Sequence, residues 1–195
     1  MTLFLLVLAA YLIGAIPTGV ILTRLAGAED IRSAGSGNIG ATNVYRVAGR
    51  KLGIITLVGD CLKGVVPLLI AQLVFNLTGN GIALIALAAF LGHCYPVYLG
   101  FKGGKGVATA LGIFLVLSPL SVLCILFVFV LILWKWRYIS LASISAAATM
   151  PLLVLLFEGS PALFVATLII ASIIIWRHKV NIEQLRSGTE NKFNV

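Results

Sequence analysis

Long apolar runs, separated by polar turns and by one longer polar stretch at residues 25–51, place the first constraint on this chain. They cover residues 3–24, 52–76, 82–99, 107–117, 119–134, 138–157 and 161–176. Several approach the ~20 residues a helix needs to cross a bilayer. In lipid each backbone N–H and C=O must be satisfied inside the protein, so runs of this kind are helices. Residues are 61% hydrophobic and only 10% charged over 195 positions, which excludes an ordinary soluble domain. The expected fold is all-α, a polytopic membrane helix bundle, forming a single integral domain over residues 1–195. Pro17 and Gly19 loosen the second half of the first run, which membrane helices tolerate when neighbours satisfy the freed backbone groups. No basic region precedes that run and Arg24 lies at its far end, so it reads as a retained span, not a cleaved leader. The three cysteines, Cys61, Cys94 and Cys124, lack ligand spacing and read as free thiols.

Charge sets the topology. The net charge of +8 does not form a soluble basic patch, so nucleic acid is not an expected partner. The basic residues flank apolar runs instead, as in proteins oriented by the positive-inside rule and facing anionic lipid head groups. The stretch 106–134 is either one helix or two broken at Ser118-Pro119. With two, Arg24, Arg46, Lys51, Lys102, Lys105, Lys135, Arg137 and Arg177 fall on one face. Two short spans are therefore expected, about seven transmembrane helices in all, with the N-terminus outside and the C-terminus cytoplasmic. The run 107–117 is short for the hydrocarbon core and must sit tilted or in a protein-lined region.

Three polar segments then share the cytoplasmic face. The first is Ser36-Gly37-Asn38-Ile39-Gly40-Ala41-Thr42-Asn43, closed by Arg46. Its glycines, hydroxyls, amides and guanidinium suit a phosphate, although an amphipathic surface helix with a polar cap reads equally well. The second is Phe101-Lys102-Gly103-Gly104-Lys105-Gly106-Val107-Ala108-Thr109. Glycine lets successive amides converge on an anion, and lysine adds a point charge. A basic membrane-flanking loop is the plain alternative. Nucleotide hydrolysis is not expected, because Leu99 and Gly106 stand where the P-loop pattern needs Gly and Ser/Thr. The third is Arg177-His178-Lys179-Val180-Asn181-Ile182-Glu183, where His178 is either functional or an interfacial side chain at a helix end.

Inside the spans, Asp60 and Lys63 share a helical face at i, i+3. Buried ionisable groups of this kind pair and face the bundle interior. They read either as a structural ion pair or as a charge lent to an anion site. Ser143 and Ser145 lie among small residues and suit close helix packing; Ser143 is also kept as a candidate substrate-binding residue. Only six acidic residues occur in the chain, too few for chemistry built on clustered carboxylates and magnesium. No metal and no cofactor are expected. Abundant donors without a thiol nucleophile suit a reactant that arrives activated, so that positioning and charge stabilisation supply the catalysis.

At these residues the chain resembles the bacterial acyl-phosphate-dependent glycerol-3-phosphate acyltransferases, integral inner-membrane enzymes. The resemblance runs through three motifs: Ser36 to Asn43 with Arg46; Gly92-His93 through Pro96 to Phe101–Thr109; and His178, Asn181-Ile182 and Gly188-Thr189-Glu190. Gln184 stands where the family has a basic residue. The His-x4-Asp motif of soluble-substrate acyltransferases is not matched. The resemblance implies acyl transfer from a fatty acyl phosphate to the 1-hydroxyl of glycerol 3-phosphate, giving 1-acyl-glycerol 3-phosphate and phosphate. This is the first acylation of phospholipid synthesis, with the site on the cytoplasmic side of the inner membrane. The implied partners are the two substrates and membrane lipid, with no obligate protein partner. Ser36, Lys105, His178 and Asn181 are the expected catalytic residues. Gly37, Asn38, Gly40, Thr42, Asn43, Arg46, Lys63, Gly103, Gly104, Gly106 and Ser143 are expected to bind substrate. Either His178 or a substrate phosphate takes the proton. A transporter of a phosphorylated solute and a lipid-binding scaffold subunit are the competing readings.

Overall fold

The computed structural model describes residues 1–193 and contains ten α-helices among them. The chain forms two compact units, Met1–Val116 and the remainder from Leu117. In the first unit lie α1 (Thr2–Gly14), α2 (Thr18–Leu25), α3 (Ala41–Ala48), α4 (Arg50–Leu73), α5 (Gly79–Cys94), a 3-10 turn (Val97–Leu99) and α6 (Val107–Leu117, whose last residue falls in the second unit). The expected single first span is a pair of helices, α1 and α2, bent by 41°. The break falls just before Pro17, which has no N–H to continue the ladder and clashes with the preceding turn. Between α2 and α4 the polar residues include α3, in line with the surface-helix reading of the segment that starts at Ser36.

In the first unit α5 is the most enclosed helix, with Ile85, Ala86, Ala89 and Phe90 at 1% exposure or less. It crosses α1 closely because each helix offers a glycine at the crossing. A side chain on Gly14 would strike the Ala89 backbone, and one on Gly92 the Tyr11 backbone. α4 and α6 meet in the same way, Gly64 against the Thr109 carbonyl and Gly112 against the Cys61 carbonyl. Small residues let membrane helices approach until their backbones touch. This brings Asp60 and Lys63 of α4 within reach of α5, α6 and the α1–α2 break.

The second unit holds α7 (Pro119–Trp136), α8 (Ile139–Glu158), α9 (Pro161–Arg177) and α10 (Lys179–Ser187). The break at Ser118-Pro119 is present, with Pro119 as the first residue of α7, where its missing N–H costs nothing. Ser118 Oγ donates to Glu158 Oε1 at 2.7 Å, tying the start of α7 to the end of α8. α7 exposes Leu120, Leu123, Phe127, Val130 and Trp134. A continuous apolar face of this kind suits contact with lipid. Among the described residues four helices are long and apolar enough to cross a membrane, and up to six spans result if the bent pairs α1–α2 and α9–α10 each count as one; α6 is a shorter apolar helix. Cys61, Cys94 and Cys124 are free thiols.

Candidate active site

In the first unit, the polar stretch before α3 is pinned by one amide. Asn43 is buried, its Oδ1 accepting from Ser36 N (2.8 Å) and its Nδ2 donating to Ile31 O (2.8 Å) and Ala34 O (3.1 Å). Asn38 Oδ1 accepts from Gly40 N just ahead of the helix. Below the loop Ile31, Ile39 and Val44 form a closed apolar cluster, with Leu99 packed against it. The loop before α3 therefore sits beside the turn that leads into the lysine–glycine loop. Ser36, Gly37 and Arg46 remain exposed. Asn43, expected to bind substrate, uses its whole amide group to shape the loop that displays Ser36. At the start of the stretch the exposed Asp30 carboxylate takes side-chain and backbone hydrogen bonds from Arg32, which pull its pKa down to about 2.

The second segment rests on a buried charge cluster. Lys63 Nζ donates to the Ile16 carbonyl at 2.7 Å, at the α1–α2 break, where Thr18 N also donates to the same oxygen. It lies 2.7 Å from Asp60 Oδ1 and 3.2 Å from His93 Nδ1. The side chains of Lys63 and Asp60 are only 6% and 2% exposed. The Asp60 contact is one of charge more than of alignment: neither carboxylate oxygen has a well-directed hydrogen bond among the described residues. Two hydrogen-bond acceptors, Ile16 O and His93 Nδ1, and the charge of Asp60 surround the ammonium, so Lys63 is engaged inside the protein. Of its two sequence readings, the geometry favours the structural ion pair over direct contact with substrate.

The loop itself is stacked on His93. Gly104 N donates to His93 O at 3.2 Å. A side chain on Gly103 would collide with the His93 and Cys94 carbonyls and with Pro96, and one on Gly104 with His93 Nε2. Gly106 has φ +82°, a conformation open to glycine, and faces the Phe90 ring. Lys105 is half-buried and Lys102 exposed, and Thr109 Oγ1 donates to Asp60 O at 2.9 Å where α6 begins. Tyr11 Oη, donating to Tyr95 O at 2.7 Å, secures the chain leaving α5.

The second unit carries the third segment. His178 joins α9 to α10 at a 52° bend and is 3% exposed. Its Nδ1 lies 2.7 Å from Ile174 O. A carbonyl only accepts, so Nδ1 carries the proton and Nε2 is the basic nitrogen of the neutral ring. Asn181 Nδ2 donates to both oxygens of Glu190 (2.9 and 3.1 Å), and Ser140 Oγ donates to Glu190 Oε1 at 2.6 Å. Arg137 and Phe193 are paired through the backbone and through Arg137 Nε. Ser143 is buried in α8, one turn from Ser140.

Within the first unit, then, the structure joins the Ser36–Asn43 segment to the lysine–glycine loop. Two participants were not singled out by residue type. His93 stands in the Gly92–Pro96 motif, and being one of only two histidines in the chain was its signal. Glu190 ends the Gly188-Thr189-Glu190 motif, and its role depends on a fold-back that sequence spacing does not reveal.

Apolar helices with broken ends and glycine-lined polar loops define a multi-pass membrane protein that presents anion-type donors. The sequence model described as glycerol-3-phosphate acyltransferase matches residues 4–188. The chain is 64% identical over 192 residues, 98% of each chain, to a glycerol-3-phosphate acyltransferase of Syntrophotalea carbinolica. Its fold matches the crystal structure of PlsY (YgiH), an integral membrane glycerol 3-phosphate acyltransferase, in the glycerol 3-phosphate form. There the TM-score is 0.95 and the identity 41%, covering 100% of this chain and 96% of that one. With the same coverage and identity, the lysophosphatidic acid form of that protein gives a TM-score of 0.91. The chain belongs to the glycerol-3-phosphate acyltransferase family.

Proposed function

We propose that this protein transfers an acyl group from a fatty acyl phosphate to the 1-hydroxyl of glycerol 3-phosphate, releasing 1-acyl-glycerol 3-phosphate and inorganic phosphate. The observation that carries the acceptor and the product is the full-length likeness, at 41% identity, to an enzyme solved in its glycerol 3-phosphate and lysophosphatidic acid forms. An acyl phosphate donor is supported by the site's chemistry: backbone amides, hydroxyls and cations for phosphate, and an apolar helix surface for the chain. The family match runs from 4 to 188 across both units, which supports their acting as one acyltransferase domain. We further infer seven crossings of the inner membrane, N-terminus outside, with the polar segments cytoplasmic, from the distribution of basic residues.

The hydroxyl oxygen of glycerol 3-phosphate attacks the acyl carbonyl carbon. The bond from that carbon to the phosphate oxygen breaks, and phosphate departs with the electron pair. Ser36, Gly37, Asn38, Gly40 and Thr42, together with Gly103, Gly104 and Gly106, form the cradle for the acyl phosphate and the charge that develops on it. Arg46, Lys105, His178 and Asn181 hold glycerol 3-phosphate. Lys63 and Asn43 serve the site by shaping its loops. His178 has the tautomer a base requires, with Nε2 as acceptor; the departing phosphate is the alternative proton acceptor.

The test is phosphate release by purified protein given palmitoyl phosphate, with and without glycerol 3-phosphate. Release that requires glycerol 3-phosphate and equals the lysophosphatidate formed supports the reading, and Lys105→Ala should abolish it. Product formed only from an acyl thioester would overturn the donor assignment. Near-normal turnover of His178→Gln at saturating substrate would remove His178 as the base.

A further inference from the structure

We propose that His93 is a positioning residue for the phosphate loop: Lys63, compensated by Asp60, holds its ring as the Nε2–H tautomer, and the ring and carbonyl of His93 in turn fix Gly103 and Gly104 for anion binding. This rests on reading that loop as a phosphate cradle.

The tautomer follows from the donors present. An ammonium has protons to give and no lone pair, so at 3.2 Å from Lys63 Nζ the Nδ1 of His93 must be the accepting nitrogen. The alternative, Nδ1–H donating to Asp60 Oδ1, spans 3.8 Å, beyond hydrogen-bond range. The proton of the neutral ring therefore sits on Nε2, at the edge lying against Gly104. Gly104 N is bound to the carbonyl of the same residue. The loop meets His93 twice, through the hydrogen bond from Gly104 N to its carbonyl and through the close approach of Gly104 to the ring edge.

The other end of the cluster is held as firmly. Lys63 is anchored on the Ile16 carbonyl, and Thr109, just past the loop, is anchored on the Asp60 carbonyl. The side-chain cluster thus sets the floor of the loop, and the α4 backbone at Asp60 holds the point where the chain enters α6. A buried ion pair is a poor source of stability compared with apolar packing, because both ions must be desolvated. Fixing an orientation, which apolar side chains do less specifically, is a use that fits its cost here.

The test compares the full-length protein in detergent with the Asp60→Asn/Lys63→Met double variant, which leaves no unpaired buried charge, and with His93→Gln and His93→Phe. In the unsubstituted protein, imidazole 15N shifts should show an unprotonated Nδ1 and a protonated Nε2 on His93. A protonated Nδ1 overturns the proposal without any reference to activity. Inorganic phosphate should shift the Gly103 and Gly104 amide resonances in the unsubstituted protein and much less in the double variant. Equal responses in both overturn the positioning role alone. No response in either overturns the cradle reading and the proposal with it. In turnover, the folded double variant and His93→Phe should lose on the order of tenfold to a hundredfold in kcat/KM, the scale of a small misplacement of reacting groups. His93→Gln, whose Nε2 amide stands near the imidazole Nε2, should recover part of that loss. Full activity in a folded His93→Phe overturns the proposal.

Discussion

Lys63→Met is the substitution whose cost the structure sets most directly. At 2.7 Å, and with an effective dielectric of ~20, the Asp60–Lys63 attraction amounts to about 6 kcal/mol. Desolvating both ions offsets most of that, at several kcal/mol each, so the intact pair contributes little net stability. Removing one partner is a different matter, since the remaining charge keeps its desolvation cost and loses its compensation. Lys63→Met should therefore cost about 3–5 kcal/mol of unfolding free energy. Asp60→Asn should cost less, because Lys63 keeps the Ile16 carbonyl and His93 Nδ1 as acceptors, whereas neither oxygen of Asp60 has a directed hydrogen bond to fall back on. The double variant should return to within about 2 kcal/mol of the original protein, as neutral replacements of buried ion pairs do. Reversible unfolding in mixed micelles, run as a double-mutant cycle, measures all three. Additive single effects, with the double variant as unstable as their sum, would refute the account of Lys63 as an internally engaged cation.

The remaining expectations concern other parts of the fold. Asn181→Ala should cost about 1–3 kcal/mol through loss of the paired hydrogen bonds to the Glu190 carboxylate, and Asn181→Asp should cost more, since it sets two carboxylates against each other; thermal unfolding of the two variants checks the order. Gly112→Ala should destabilise by about 1–3 kcal/mol because its Cβ would meet the Cys61 backbone, while Gly81→Ala, in ordinary contact with Leu77, should stay within about 0.5 kcal/mol. A 13C titration should find the Asp30 carboxyl ionising at about 2, and Arg32→Ala should return it towards the ordinary ~3.9. Since this pKa is lowered in the fold, whatever Asp30 adds to stability is complete above the unfolded value and disappears as the pH falls through 2. Both partners are exposed, so added salt should weaken the shift.

Much of this architecture is legible in the sequence because hydrophobic length and proline placement act locally. The weak point at Pro17, the division at Ser118-Pro119 and the reach of α6 over 107–117 each follow from a few neighbouring residues, although 3–24 reads as one span in the sequence where the fold has two helices bent by 41°. The polar segments are legible as segments, since glycine, lysine and amide side chains have no other reason to gather in so apolar a chain. Individual roles within them are less so. Asn43 looks like a ligand donor until Ile31, Ala34 and Ser36 are seen to consume its amide, an arrangement closed by a turn with two positive-φ glycines, Gly35 and Gly37. Lys63 looks available for phosphate until three elements are brought around it. Spacing along one helix places Asp60 beside Lys63 but says nothing of what α5 or the α1–α2 break contributes.

The two histidines illustrate how the fold assigns different duties to one side chain. His178 has its Nδ1 proton fixed on a carbonyl, which leaves a basic Nε2; His93 has its Nδ1 lone pair fixed on an ammonium, which leaves an Nε2 donor. In the neutral form only the first can accept a proton at Nε2, and only the second can donate there. The same reasoning bears on the glycines of the loop. Gly103 and Gly104 are required by the packing of the loop on His93, and Gly106 by its positive φ, whether or not any phosphate is bound. Lost activity in glycine-to-alanine variants is therefore expected on packing grounds alone and does not identify the anion site. Lys105→Ala imposes no such collision, so its effect on the affinity for each phosphate substrate is the more direct measure of what the loop binds.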